Sequence, residues 1–143
     1  MFALSIDKRL KRCAAAAVIL TLAGGLAASL ALARITYNTI DPIAVVADNG
    51  RHLIVTGPLN CTAGERAYLR VTVTQRTTGA VAEGSSFVTC AGVIQQWEVH
   101  AQTQGAASFV AGAATAVALG TTSSRGKATD AHQWLVNVTL VAE

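Results

Sequence analysis

The side chains best equipped for chemistry are His52, His100 and His132, the thiols of Cys61 and Cys90, and the Asp48-Asn49-Gly50 cluster. A zinc site or nucleophilic triad would need several of these to converge. The histidines stand far apart in sequence, and no His-Glu-x-x-His, Gly-x-Ser-x-Gly or Gly-rich phosphate loop accompanies them. They are expected as surface histidines in or beside strands, with His100 on the face opposite Trp97. Calcium takes six to eight oxygen ligands, and Asp48-Asn49 followed by Arg51 falls short of that; a turn with Asn-Gly at positive φ is expected instead. No catalytic, cofactor-binding or metal-ligating residue is assigned, and no cofactor is expected. Trp97 and Trp134 are expected in the core. Asn60-Cys61-Thr62 and Asn137-Val138-Thr139 match the glycosylation sequon, but the first holds a cysteine and the second lies in an expected strand.

The compartment decides what the cysteines do. Lys8-Arg9-Leu10-Lys11-Arg12 precedes an uncharged run from Cys13 to Ala33, and Ala31-Leu32-Ala33 fits the small-residue cleavage rule. Residues 1–33 therefore read as an export signal cut before Arg34. At 1.5 Å rise the run is also long enough, at roughly 30 Å, to remain as an N-terminal membrane anchor. Gly24-Gly25 and the many alanines favour cleavage. Cys13 precedes the apolar run, which argues against a lipid-modified cysteine. Residues 34–143 are expected to form one domain, secreted or otherwise extracytoplasmic, with membrane contact only through residues 13–33 if the signal is retained.

The charge follows the same division. The whole chain carries a net +3, and residues 1–33 account for it with four cations against Asp7. Seven cations and seven carboxylates remain in residues 34–143, so the domain is neutral. Nucleic-acid binding needs an excess of Lys and Arg on one face, and none is expected here. Cys61 and Cys90 are the cysteines left after the signal, and in an oxidising compartment they are expected to pair. A metal or reactive-thiol role lacks supporting spacing.

The elements that must position these residues have period two. Leu69, Val71 and Val73 alternate with Tyr68, Arg70, Thr72 and Thr74, as in a half-buried strand. Val93 to Ala101 and Trp134 to Val141 alternate likewise, and shorter candidates lie at 44–47, 53–56, 86–90, 108–111 and 115–119. Turn signals separate them: Asp48-Asn49-Gly50, Gly57-Pro58, Thr62-Ala63-Gly64, Thr78-Gly79, Glu83-Gly84, and Gly120 through Gly126. Ala111–Leu119 is helical in composition only; Gly112 and Thr115-Ala116-Val117 argue for strand. About seven short strands predict an all-β, immunoglobulin-like β-sandwich behind the N-terminal hydrophobic helix. The order Cys61, Cys90, Trp97 departs from the Cys…Trp…Cys order of true immunoglobulin domains.

The run Val55-Thr56-Gly57-Pro58-Leu59-Asn60-Cys61-Thr62-Ala63-Gly64-Glu65 leads into an Arg-Val-Thr-Val-Thr strand, then Cys90, Trp97 and a closing Trp134 strand. Over about residues 50–141 this resembles small secreted bacterial single-disulfide β-sandwich domains of unknown function. The resemblance implies a fold, a compartment and a bacterial source, and carries no active site. The expected function is a non-catalytic, extracytoplasmic module that binds a protein or cell-envelope partner or serves structurally. Arg125 and Lys127, in the most polar segment, mark a possible recognition loop. A small-molecule carrier or an enzyme inhibitor is the alternative.

Overall fold

The computed structural model describes residues 34–143. They form eight strands: β1 (Ile35–Asn38), β2 (Ile43–Ala47), β3 (His52–Cys61), β4 (Arg66–Gln75), β5 (Ala80–Thr89), β6 (Gln95–Gln104), β7 (Gly112–Ser124) and β8 (Lys127–Ala142). The expected signal segment, with Ala31, Ala33 and the hydrophobic helix, lies outside the described residues.

Each long strand exists because its side chains alternate. On β4, Ala67, Leu69, Val71 and Val73 are fully buried while Arg66 and Arg70 are exposed. Leu53, Val55 and Leu59 of β3 and Trp97, Val99 and Ala101 of β6 complete the large part of the core. Small residues face them: Ala80 and Ala82 on β5, and Ala114, Ala116 and Ala118 on β7.

The sheet is all-β as expected, but it is not a sandwich. Hydrogen-bonded neighbours run β3–β2–β8–β7–β4–β5–β6, and β6 pairs back onto β3 to close a seven-strand barrel. β1 continues the same edge of β3 beside β2. The closing seam pairs His52–Leu59 with Gln95–Gln102 in antiparallel register over eight positions. Alternation specifies only that each strand buries one face, a condition that two packed sheets and one closed sheet meet equally. The inward small residues of β5 and β7 opposite large ones let so few strands close around a filled interior.

Two glycines that read as turn signals are instead strand positions where backbones approach. A Cβ on Gly84 would lie 2.2 Å from the His100 carbonyl oxygen. On Gly57 it would lie 2.3 Å from the Thr39 oxygen and 2.7 Å from Cζ2 of Trp97. β3 and β5 therefore run straight through the expected turns at Gly57-Pro58 and Glu83-Gly84. Gly120 likewise lies inside β7, which continues to Ser124. The strand expected at 108–111 is absent: Phe109 plugs the barrel end, its N–H donating to the Gly50 carbonyl at 2.9 Å. The Asp48-Asn49-Gly50 turn is present, with Asn49 at φ 53° and Gly50 at φ 82°.

The disulfide Cys61–Cys90 forms, with Cα atoms 5.3 Å apart. It does not cross between sheets. It ties the end of β3 to the connection between β5 and β6, bracing one end of the barrel. Cys90 N–H donates to the Glu65 carbonyl and Gly64 N–H to the Cys90 carbonyl, both at 2.9 Å, holding the β3–β4 crossover beside the bridge.

Candidate functional site

At the disulfide end the outer face of β4 and β5 carries an aromatic cluster. Tyr68 and Phe87 are register partners, and their ring centroids lie 4.9 Å apart with planes at 47°. The Arg66 guanidinium carbon sits 4.0 Å from the centre of the Phe87 ring. Alternation along Ser86-Phe87-Val88 sends Val88 inward against the core and leaves Phe87 58% exposed. Beside the disulfide, Val93 and Ile94 in the β5–β6 connection are exposed by 61% each.

The neighbouring edge of β5 is partly unpaired. β6 pairs with Val81–Glu83 only. Among the described residues, Ser85 to Val88 have β4 as their only strand partner, and the Thr89 carbonyl accepts from Gln95 Nε2 at 2.9 Å. Apolar and aromatic side chains, an arginine and free strand backbone thus occur together.

A second cluster lies on the outer face of β3 and β6. His52 and His100 stack with ring centroids 5.0 Å apart, and His100 Nδ1 is 3.0 Å from His52 Nε2. His100 Nε2 lies 2.8 Å from Glu98 Oε1, and Asp48 Oδ2 lies 3.7 Å from His52 Nδ1. One ring must donate and the other accept, so double protonation of both rings breaks the link. His100 faces solvent, as expected from its position opposite Trp97. That the two histidines meet was not legible, because the β3–β6 register is set by closure across more than forty intervening residues. Among the described residues no three His, Cys, Asp or Glu side chains are grouped to hold a metal ion. His132 stands apart, exposed on β8.

Arg34, the residue after the expected cleavage point, is docked on the barrel. Its main-chain N–H donates to Asp130 Oδ2 at 2.9 Å, and Ile35 N–H reaches the same oxygen at 3.0 Å. Its Nη1 lies 3.1 Å from Oε1 of buried Glu65, whose other oxygen accepts from Thr129 Oγ1 at 2.8 Å. The Ile35 N–H, helped by those of Arg34 and Ala131 and opposed by partial desolvation, holds the Asp130 carboxyl below the usual carboxylate range.

Arg125 and Lys127 fall at the tip of the β7–β8 hairpin. Arg125 at φ 51° and Gly126 at φ 76° form the two-residue turn, and Ser124 pairs with Lys127. The tip is exposed but is a tight hairpin, not the broad loop expected from Gly120 onward. Among the described residues no helix is long and apolar enough to cross a membrane. Comparison with known protein families finds no match, and comparison with curated proteins finds none either.

Proposed function

We propose that the domain is an exported, non-catalytic binding module whose contact surface centres on Phe87. The observation that carries this is the Arg66–Phe87–Tyr68 cluster on an outward sheet face. Aromatic residues and arginine are the types enriched where protein interfaces concentrate their binding energy, and a sheet gains nothing by leaving Phe87 in water. The unpaired edge at Ser85–Val88 offers backbone groups to an extended segment of a protein partner. The disulfide is consistent with an extracytoplasmic location.

Carriage of a small molecule inside the barrel is disfavoured by the filled interior, where Leu53, Val55, Leu69, Val71, Val73 and Val99 all have no exposed surface. Grooves such as the one of about 320 Å³ at Thr74, Thr115 and Asn137 lie open on the surface. The test uses the exported domain as bait in its native envelope or culture fluid. A partner retained by the wild type and lost with Phe87→Ser and Arg66→Ala, at unchanged melting temperature, supports the reading. Equal recovery by all three baits, or no specific partner for the folded wild type, counts against it.

A further inference from the structure

The main-chain nitrogen of Arg34 is the one the expected cut would turn into a chain terminus. Hydrolysis of the Ala33–Arg34 bond consumes one water and leaves a carboxyl on Ala33 and an amine on Arg34, which takes up a proton at neutral pH. The structure already aims a carboxylate at that nitrogen, with Asp130 Oδ2 at 2.9 Å. We propose that Asp130 is the receptor for the new α-ammonium, so that export processing completes an ion pair inside the mature domain.

Three features converge on this assignment. Every polar group of Arg34 is engaged: its N–H by Asp130, its carbonyl by Thr62 N–H at 3.0 Å, and its guanidinium by Glu65. The charge balance is incomplete, since Asp130 and Glu65 converge on this residue while the guanidinium neutralises only one of them. His132 is the other titratable group whose charge acts on Asp130. Finally, Asp130 is placed to receive charge: Oδ1 accepts its neighbour Ala131 N–H at 2.9 Å, which orients Oδ2 toward the terminus. The amide N–H already donates to a charged acceptor, and an ammonium in its place puts charge on both partners, making the contact an ion pair as well as a hydrogen bond.

The proposal rests on the cleavage reading, and the two fail by different measurements. The full chain is expressed in a bacterial host that exports it, and the released domain is weighed intact. The mass is expected to begin at Arg34; a mass that retains residues 1–33, or begins elsewhere, overturns the proposal. The α-amine is then titrated by trace acetylation with acetic anhydride over pH 6–10, with the unfolded chain as reference. Burial alone would lower the ammonium's pKa, whereas pairing with Asp130 raises it above the ordinary range of about 7.7–8.0. A rise of about one unit, seen as several-fold slower labelling near pH 8, is the expected result. A native value in or below the ordinary range overturns the assignment without any variant. Asp130→Asn, verified as folded by circular dichroism, is expected to remove the rise, and its persistence in that variant also overturns the assignment.

Discussion

The barrel is closed by two unlike seams. Between β3 and β6 the ladder is antiparallel and eight register positions long, with Trp97 seated on Gly57 directly behind it. Between β2 and β8 it is parallel and covers only Ile43–Val46 against Thr139–Ala142. Further down this second seam, β1 stays with β3, and its start is held to β8 by the Asp130 side chain. One seam is therefore continuous backbone backed by core. The other combines a short ladder with a carboxylate pin, at the place where the chain enters the domain. A closed sheet can combine a non-local seam held by packing with one held by a few charged contacts, and the second kind responds to the protonation of its carboxylate.

The largest break in that contrast is expected from the packed seam. Trp97→Ala removes the largest fully buried side chain and should cost about 3–5 kcal/mol, read from denaturant unfolding. Such a loss would show that the β3–β6 ladder depends on the core behind it; a loss below about 1 kcal/mol would mean that backbone pairing alone closes the barrel. Next comes the disulfide, which braces the same end. Replacing Cys61 and Cys90 together by Ser opens a link of sequence separation 29 and should cost about 3–4 kcal/mol by the chain-entropy estimate.

The carboxylate pin should give a smaller effect with a distinct pH signature. Asp130→Asn is expected to cost about 1 kcal/mol at neutral pH, less than the roughly 1.5–3 kcal/mol of hydrogen bonds to charged groups because solvent screens this partly exposed site. Because the folded Asp130 titrates below its ordinary value of 3.8, its contribution is fully present above that value and is lost as pH falls through the folded one. Melting curves of wild type and variant should therefore converge as pH drops below about 4. Curves that stay parallel would deny the carboxylate a charged role. The smallest change belongs to the histidine pair on the outer face of the strong seam. His100→Gln should alter stability by less than about 0.5 kcal/mol, as for other exposed positions. A larger loss would make the His52–His100 contact part of what holds β3 to β6.

The sequence carried much of this at the level of individual strands and turns. The alternation through Leu69, Val71 and Val73 predicted which side chains of β4 are buried, and all three are. Trp97 is in the core as expected, and Trp134 packs partly buried against it. Gly57-Pro58 and Glu83-Gly84 misled because a glycine that permits close approach of two backbones looks, in sequence, like one that permits a turn. The candidate sites were legible only in part. Phe87 stands in an alternating segment, but nothing local says whether its face or that of Val88 turns inward. The meeting of His52 with His100, and of Arg34 with Asp130, involves strands joined only by the closure.

Composition and pattern by themselves determined that residues 34–143 are neutral, that Cys61 and Cys90 are the cysteines left to pair within them, and that the strands carry one apolar face each. These follow from counting charges and thiols and from the two-residue repeat of a β-strand, properties that need no partner to be defined. Tertiary structure alone decided that the strands close into a barrel and do not split into two sheets. It also decided that a phenylalanine stays outside, and that one aspartate reaches the nitrogen of Arg34. Each of these depends on which strand lies beside which, and pairing between distant strands is settled by how large and small side chains fill a common interior, which no single stretch of sequence contains.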